Sequence, residues 1–226
     1  MGLMNAAFIA RMEHILHLYG LAYDPLYPQV CFDERPCFLI GEAVAGLEMK
    51  AGQVTRQHYA YKKNGSCVLL MAIEALTGKR LAQVYKQRTK REYALFMKEL
   101  ASRYPEANKI RIIQDNLNTH NTSSFYETFS AEEAFELSQR FEFYYTPKSA
   151  SWLNMIEIEF SALSKQCLNR RIGSQEQLTR EVTAIVKERE EKAIKIDWQF
   201  SIESARRKLN RHYQKVNSDN AKYQKT

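Results

Sequence analysis

The sequence is poor in the residues that mark specialised chains. Eight glycines and five prolines among 226 residues exclude collagen-like repeats and Gly/Pro linkers. The longest clearly apolar run covers residues 68–73, far short of the ~18 residues a membrane span needs. The first 21 residues mix Arg11, Glu13, His14 and His17 into their apolar positions, which does not suit a secretory signal. The four cysteines, Cys31, Cys37, Cys67 and Cys167, form no C-x-x-C pair. A zinc knuckle or disulfide scaffold is therefore not expected, and the cysteines read as reduced, mostly buried apolar residues of a cytoplasmic protein. Without a secretory signal the glycosylation patterns at Asn64 and Asn121 carry no meaning. Internal repeats, low-complexity blocks, phosphate-binding glycine loops and a G-x-S-x-G elbow are all missing, which argues against nucleotide-triphosphate and serine-hydrolase chemistry.

What is present is material for a core: 45% hydrophobic and 12% aromatic residues. The length allows one large domain or two small ones. The net charge is +7, and the segment from Lys148 onward, with 16 basic and 10 acidic residues, holds +6 of it. A basic lobe suits a polyanionic partner. A solvated helical surface accounts for the same charge equally well.

Apolar spacing at Phe8, Met12, Ile15 and Tyr19 predicts a helix over 5–19. Strands are expected at 29–33, stopped by Arg35-Pro36, and at 67–74 and 80–85 as a hairpin, with turns at Asn64-Gly65 and Thr77-Gly78. Residues 41–56, with three glycines, read as irregular. Thr89-Lys-Arg-Glu92 is a capping box opening a helix to about Arg103. A strand over 109–115 follows, then a helix over 123–140 with a break at the Ser130 capping box. An aromatic strand over 141–145 comes next. A helix then carries Ile156, Phe160, Leu163 and Cys167 on one face, Ser174 opens another, and a basic helix covers 201–216. This order predicts an α/β fold with a mixed sheet.

Asp33 and Asp115 each close a strand in this reading, and Glu157 lies early in a helix. If the two strands are parallel neighbours, their ends share a rim where α/β sheets commonly carry sites. Three hard carboxylates there suit Mg²⁺ or Mn²⁺ and phosphodiester chemistry. Singly, each acid is also an ordinary turn former, and Asn154-Met-Ile-Glu157 also reads as a capping box. Glu159 stands roughly 200° round the helix from Glu157, so only one of the two faces such a site, and spacing alone does not choose.

Three blocks resolve this by resemblance: Val30-Cys-Phe-Asp33-Glu34, Ile113-Gln-Asp115-Asn116-Leu-Asn-Thr-His120, and Thr146-Pro-Lys-Ser-Ala-Ser-Trp-Leu-Asn154-Met-Ile-Glu157. Together they resemble the signature blocks of DDE transposases of the mariner-like superfamily, in its bacterial insertion-sequence branch. Tyr61-Lys-Lys-Asn-Gly-Ser-Cys67 and Asp197-Trp-Gln-Phe200 also resemble that branch, so the likeness runs from about Phe8 to Tyr213. It implies an RNase H-like fold with a mixed five-stranded sheet flanked by helices. It also implies a catalytic, metal-holding triad of Asp33, Asp115 and Glu157, with two Mg²⁺ or Mn²⁺ ions. The implied reaction is cleavage at transposon ends, then strand transfer by the freed 3′-hydroxyl. The implied organisation is a helix and connector at 1–28, a catalytic domain at 29–216 and a polar tail at 217–226. The implied partner is DNA, bound by a homodimer in the bacterial cytoplasm.

Candidate DNA contacts accompany the triad: Lys148, Trp152, His120, Arg170, Arg171, Arg206 and Arg207. Each has a plainer reading. His120 also reads as a loop histidine bonded to backbone, Trp152 as a core anchor and Lys148 as an exposed loop lysine. His14 and His17 read as surface residues. Only about 32 residues precede Asp33, too few for the helix-turn-helix reader the family carries. The reader is then separately encoded, lost from a remnant, or cut away. The competing readings are a non-enzymatic DNA-binding remnant and another nuclease of the same fold.

Overall fold

The computed structural model describes residues 4–43 and 61–223. Most of the segment expected to be irregular, 41–56, lies outside them.

Helix α1 (Ala6–Tyr19) is capped by Asn5, whose side chain accepts from Phe8 N. It buries Met12 and Ile15, and its two histidines are exposed, as the spacing implied. Strands β1 (Gln29–Glu42), β2 (Tyr61–Glu74) and β3 (Arg80–Tyr85) form an antiparallel meander. Helix α2 (Lys90–Ser102) opens with the expected Thr89–Glu92 capping box. Strand β4 (Ile110–Gln114), helices α3 (Ser123–Tyr126) and α4 (Ala131–Gln139), and strand β5 (Phe141–Tyr145) follow. The break between α3 and α4 falls at Ser130, whose hydroxyl accepts from Glu133 N. The sheet order is β3-β2-β1-β4-β5, with β1, β4 and β5 parallel. This is the mixed five-stranded sheet expected.

Two of the expected breaks are not breaks. Strand β1 continues through Pro36 to Glu42, and β2 begins at Tyr61 rather than Cys67. Among the described residues β1 pairs with β4 only as far as Cys31. Beyond that point β1 has one free edge, and a free edge tolerates proline. Asn64-Gly65 is a bulge, not a turn: the register slips between Leu39 and Ile40, leaving Asn64 as the extra residue. Gly65 takes φ +109° there, a conformation that glycine reaches without steric cost.

Helix α5 (Ile156–Leu163) follows a 3₁₀ turn at Ser151–Leu153 and runs into a π-helical turn at Ser164–Leu168. Its face of Ile156, Phe160, Leu163 and Cys167 is buried, as the spacing predicted. Helix α6 (Gln175–Glu191) packs beside β3. The basic C-terminal helix is two helices, α7 (Ile202–Lys208) and α8 (Asn210–Val216), separated at Leu209.

Successive strand residues face opposite sides of a sheet. Cys31, Met71 and Ile113 therefore pack with α5 and α6, while Phe32, Leu70 and Ile112 pack with α2, α3 and α4. A smaller cluster joins Met12 and Leu16 of α1 to Leu153, Ala205 and Tyr213. The four cysteines are free, and three are buried.

A buried ion group pins α5 to the sheet edge. Glu159 takes Arg80 through Nε at 3.0 Å and Nη2 at 2.8 Å, and Arg189 through Nε at 3.1 Å and Nη2 at 2.8 Å. The Arg80 and Glu159 side chains are fully covered. Burial pushes the Glu159 carboxyl up, but the two guanidinium groups outweigh it and hold the carboxyl below the usual glutamate range. Glu159→Gln leaves Arg80 buried with its counter-charge gone and should cost about 3–5 kcal/mol, read as a lower urea midpoint at pH 7. A depressed carboxyl stabilises above its unfolded pKa and loses that contribution as pH falls through its folded pKa. The gap between wild type and variant should therefore narrow in acid; a gap that stays constant would assign the loss to packing.

Candidate active site

The site forms where β1 and β4 part. Their parallel register ends at Cys31 beside Ile113. Asp33 and Asp115 each lie two residues further on, side by side at the rim. Asp33 does not end its strand; it sits within β1, and only its partner on one side ends there. By alternation with Cys31 its side chain faces the α5 side of the sheet. Glu157 lies on the first turn of α5 and is exposed, whereas Glu159 is turned inward onto the arginines. The two glutamates thus divide as the helical angle required.

Asn154 does not cap α5. Met155 stands at the cap position and makes no side-chain cap bond. Asn154 is buried instead, and its Nδ2 donates to Phe32 O at 2.8 Å. This bond ties the turn before Glu157 to the backbone next to Asp33. Tyr19 Oη donates to Leu153 O at 2.8 Å and steadies the same turn from α1.

The carboxylates feel one another. Burial pushes the Asp33 carboxyl up to about 7; the Glu34 N–H bond opposes this, while the charges of Glu34, Asp115 and Glu157 add to it. The donor set is all oxygen, its carboxylates repel one another, and that chemistry fits a hard divalent cation. Among the described residues no three His, Cys, Asp or Glu side chains are drawn together closely enough to enclose a metal. The three acids share the rim without converging on a point.

His120 is not a loop histidine bonded only through its backbone. It is buried, with Nδ1 2.6 Å from Asp115 Oδ1 and Nε2 2.7 Å from Glu34 Oε2. Its ring stacks on Tyr93 at 5.0 Å and meets Phe32 edge-on at 5.2 Å. Burial disfavours the charged ring, but the bonds and charges of Asp115 and Glu34 outweigh it and push His120 up to about 9. Below the ring, Tyr93 Oη donates to Gln114 Oε1 at 2.9 Å, and Gln114 Nε2 donates to His120 O at 2.9 Å.

Glu34, Tyr93 and Arg88, whose Nη1 donates to Glu34 Oε1 at 2.8 Å, take part in this arrangement without having been given a role by sequence reasoning, and Asn154 was read only as a helix cap. The signal available for Glu34 was its place beside Asp33 in a strand, which sends the two side chains to opposite faces.

The other candidates lie apart. Lys148 is exposed and lines a cleft of about 450 Å³ with Asn5, Phe8, Arg11 and Ser149. Trp152 is 40% exposed and meets Phe200 edge-on at 5.6 Å. Arg170 pairs with Glu181 at 2.5 Å. Arg206 forks onto Glu13 with two 2.8 Å bonds, tying α7 to α1. Arg207 is exposed on α7, and Arg171 precedes Gly173 in the connection to α6. No described helix is long and apolar enough to cross a membrane.

A mixed sheet in this order, with helices on both faces and acids at the rim where β1 and β4 separate, defines an RNase H-like fold. The family model described as DDE superfamily endonuclease matches residues 28–179, and the chain belongs to that family. In fold it is similar to the mariner Mos1 transposase. It matches the Mos1 strand transfer complex (TM-score 0.56, 13% identity) and a pre-cleavage Mos1 transpososome (0.55, 14%), each over 96% of this chain and 62% of that one. It also matches the Mos1 paired end complex with Mg (0.51, 15%), over 96% of this chain and 63% of that one. The chain thus spans somewhat under two thirds of the structures it matches. No curated protein sequence matches it.

The crowding predicts a stability effect with a definite sign. A carboxyl raised in the fold costs stability as pH rises from its unfolded to its folded pKa. Asp33→Asn should therefore stabilise the metal-free protein above pH 7, by up to about 4 kcal/mol for a carboxyl moved from 3.8 to about 7. The gain should fade toward pH 4. Thermal melts across that range check it, and a variant no more stable than wild type at pH 8 contradicts the crowding.

Proposed function

We propose that the chain is the catalytic domain of a DNA transposase. It cuts phosphodiester bonds at transposon ends and joins the freed 3′-hydroxyl to target DNA, with Asp33, Asp115 and Glu157 as its acids. The observation that carries this reading is that three carboxylates from β1, the end of β4 and α5 share one rim, where the charges of Asp115 and Glu157 add to the burial that raises the Asp33 carboxyl. Membership of the DDE endonuclease family supports it. So does the likeness in fold to a Mos1 strand transfer complex and to Mos1 paired end complexes with Mg and with Mn.

Asp33, Asp115 and Glu157 are the residues that would hold Mg²⁺ or Mn²⁺, two ions by the resemblance. Bound there, such ions would neutralise the phosphodiester and make a water or 3′-hydroxyl a competent nucleophile. The chain's own residues do the rest. Asp33 is the central donor, since its carboxyl feels the charge of the other two. Asp115 keeps one oxygen on His120. Glu157 enters from a helix whose opposite face is fastened through Glu159.

DNA fits beside this rim. Thr146 N donates to Gln114 O at 2.9 Å, so the loop leaving β5 starts level with Asp115. That loop carries Lys148 into the cleft it shares with Arg11. Neither cation has an acidic partner among the described residues, and both suit a sugar–phosphate backbone. Trp152, further along the loop, offers an exposed edge for an unpaired base.

The test is nicking of supercoiled plasmid in Mn²⁺, Mg²⁺ or EDTA. Wild type should nick only with metal, and Asp33→Asn, Asp115→Asn and Glu157→Gln should each fall to the EDTA level while keeping the wild-type circular dichroism spectrum. Full activity in any one variant removes that residue from the triad. For the cleft, Arg11→Ala and Lys148→Ala should weaken DNA binding uniformly across sequences. Each should also lower the slope of log affinity against log salt by about 1. An unchanged slope would place the backbone elsewhere.

A further inference from the structure

Glu34 touches Asp33 directly and reaches Asp115 through His120. Its backbone N–H donates to Asp33 Oδ1 at 2.8 Å. Its carboxylate, on the opposite face of β1, meets His120 Nε2 at 2.7 Å through Oε2 and takes Arg88 Nη1 at 2.8 Å through Oε1. His120 passes the connection to Asp115. One residue of β1 therefore spans the gap that opens where β1 and β4 stop pairing.

The contacts are those of a fixed strut. The Glu34 and His120 side chains are only 3% and 2% exposed. The imidazole has no spare ring nitrogen, and it is gripped between the Tyr93 face and the Phe32 edge. The hydrogen bonds that Asp115 accepts among the described residues, from His120 Nδ1 and from Leu117 N at 3.4 Å, both go to Oδ1. Asp115 itself lies beyond the last residue of β4, where ladder bonds no longer fix it. A carboxylate there, repelled by Asp33, needs an external hold to keep a set orientation.

We infer that Glu34 and His120 are positioning residues: they clamp Asp115 by Oδ1 and so present its other oxygen toward Asp33 for a divalent cation. This rests on the assignment of Asp33, Asp115 and Glu157 as the metal-holding acids. It also gives His120 a task other than contacting DNA, because the ring is buried and both of its nitrogens are engaged. Arg88, more than half exposed, holds the outer end of the strut.

The test is Mn²⁺ titration of the DNA-free protein, read by electron paramagnetic resonance and calorimetry, alongside thermal melts in EDTA. The variants are His120→Gln, Glu34→Gln and Asp115→Asn. His120→Gln keeps a donor for Asp115 but cannot bridge both carboxylates; Glu34→Gln keeps the shape and removes the charge. Outer partners of metal ligands are typically worth 10–100-fold in affinity. Half-saturation by Mn²⁺ should therefore rise by about that factor in both clamp variants, with melting in EDTA within a few degrees of wild type. Should His120→Gln fail to fold, Glu34→Gln decides the matter alone. A folded clamp variant that takes up Mn²⁺ like wild type, while Asp115→Asn does not, overturns the clamp and leaves the triad standing. Wild-type uptake by Asp115→Asn overturns the triad assignment and the clamp with it.

Discussion

Like charges must be held together for this rim to exist. Asp33, Glu34, Asp115 and Glu157 crowd one end of the sheet, and their repulsion adds to the burial that raises the carboxyl of Asp33. Left free, exposed carboxylates would turn outward into water. The surrounding structure prevents this by anchoring what carries each acid. Parallel pairing of Cys31 with Ile113 sets Asp33 level with Asp115. Asn154 on Phe32 O sets the height of Glu157 above them. Arg35, two residues past Asp33, donates to Phe160 O at 3.1 Å and fastens the same strand to the same helix. The charge conflict is stored in folding energy, and in the proposed reading a bound cation would resolve it.

The Glu157–Glu159 pair shows how one helix serves both purposes. Two residues apart on α5, they meet opposite conditions. Glu159 is sealed against two guanidinium groups that satisfy it completely, and Glu157 stays exposed at the rim. A single helical rotation of about 200° separates a structural acid from a candidate catalytic one. The buried group reaches Arg80 at the start of β3 and Arg189 near the end of α6. The helix that presents Glu157 is thus tied to the far edge of the sheet, and that edge bears on the site without touching it.

The elements whose signals are local were legible in the sequence. β3 and β5 run between the residues their apolar spacing marked, and the Thr89 and Ser130 caps open helices where expected. What misled were breaker residues whose effect depends on neighbours. Pro36 stops a strand only if its N–H is wanted, and on the free edge of β1 it is not. Asn64-Gly65 has the composition of a turn, but with strand on both sides it becomes a bulge. The positions of the three acids followed from strand ends and from a family likeness. The clamp did not, because it joins residues 34, 88, 93 and 120 across three connections, and no periodicity records such a meeting. Asn154 was half legible for a related reason: its Oδ1 accepts from Ile156 N at the start of its own helix, as a capping pattern suggests, but its Nδ2 answers to Phe32, 122 residues away.

Charge counted along the chain is an indirect guide to charge in space, for a physical reason. Counting by segment places a net +6 in the last third of the chain, a count that does not say which cations are held by a neighbouring acid. Pairing shows some of them. Arg206 is held by Glu13 of α1, Arg170 by Glu181, and Arg189 by Glu159. A cation whose charge is answered by a fixed carboxylate contributes little field at a distance. Arg11 and Lys148 share a cleft and have no acidic partner among the described residues. One comes from the N-terminal helix and the other from the loop after β5, segments that no charge count along the chain would bring together. In the proposed reading a phosphate backbone would meet positive charge where α1 meets that loop, and the packing of Met12 and Leu16 against Leu153 is what assembles the cleft.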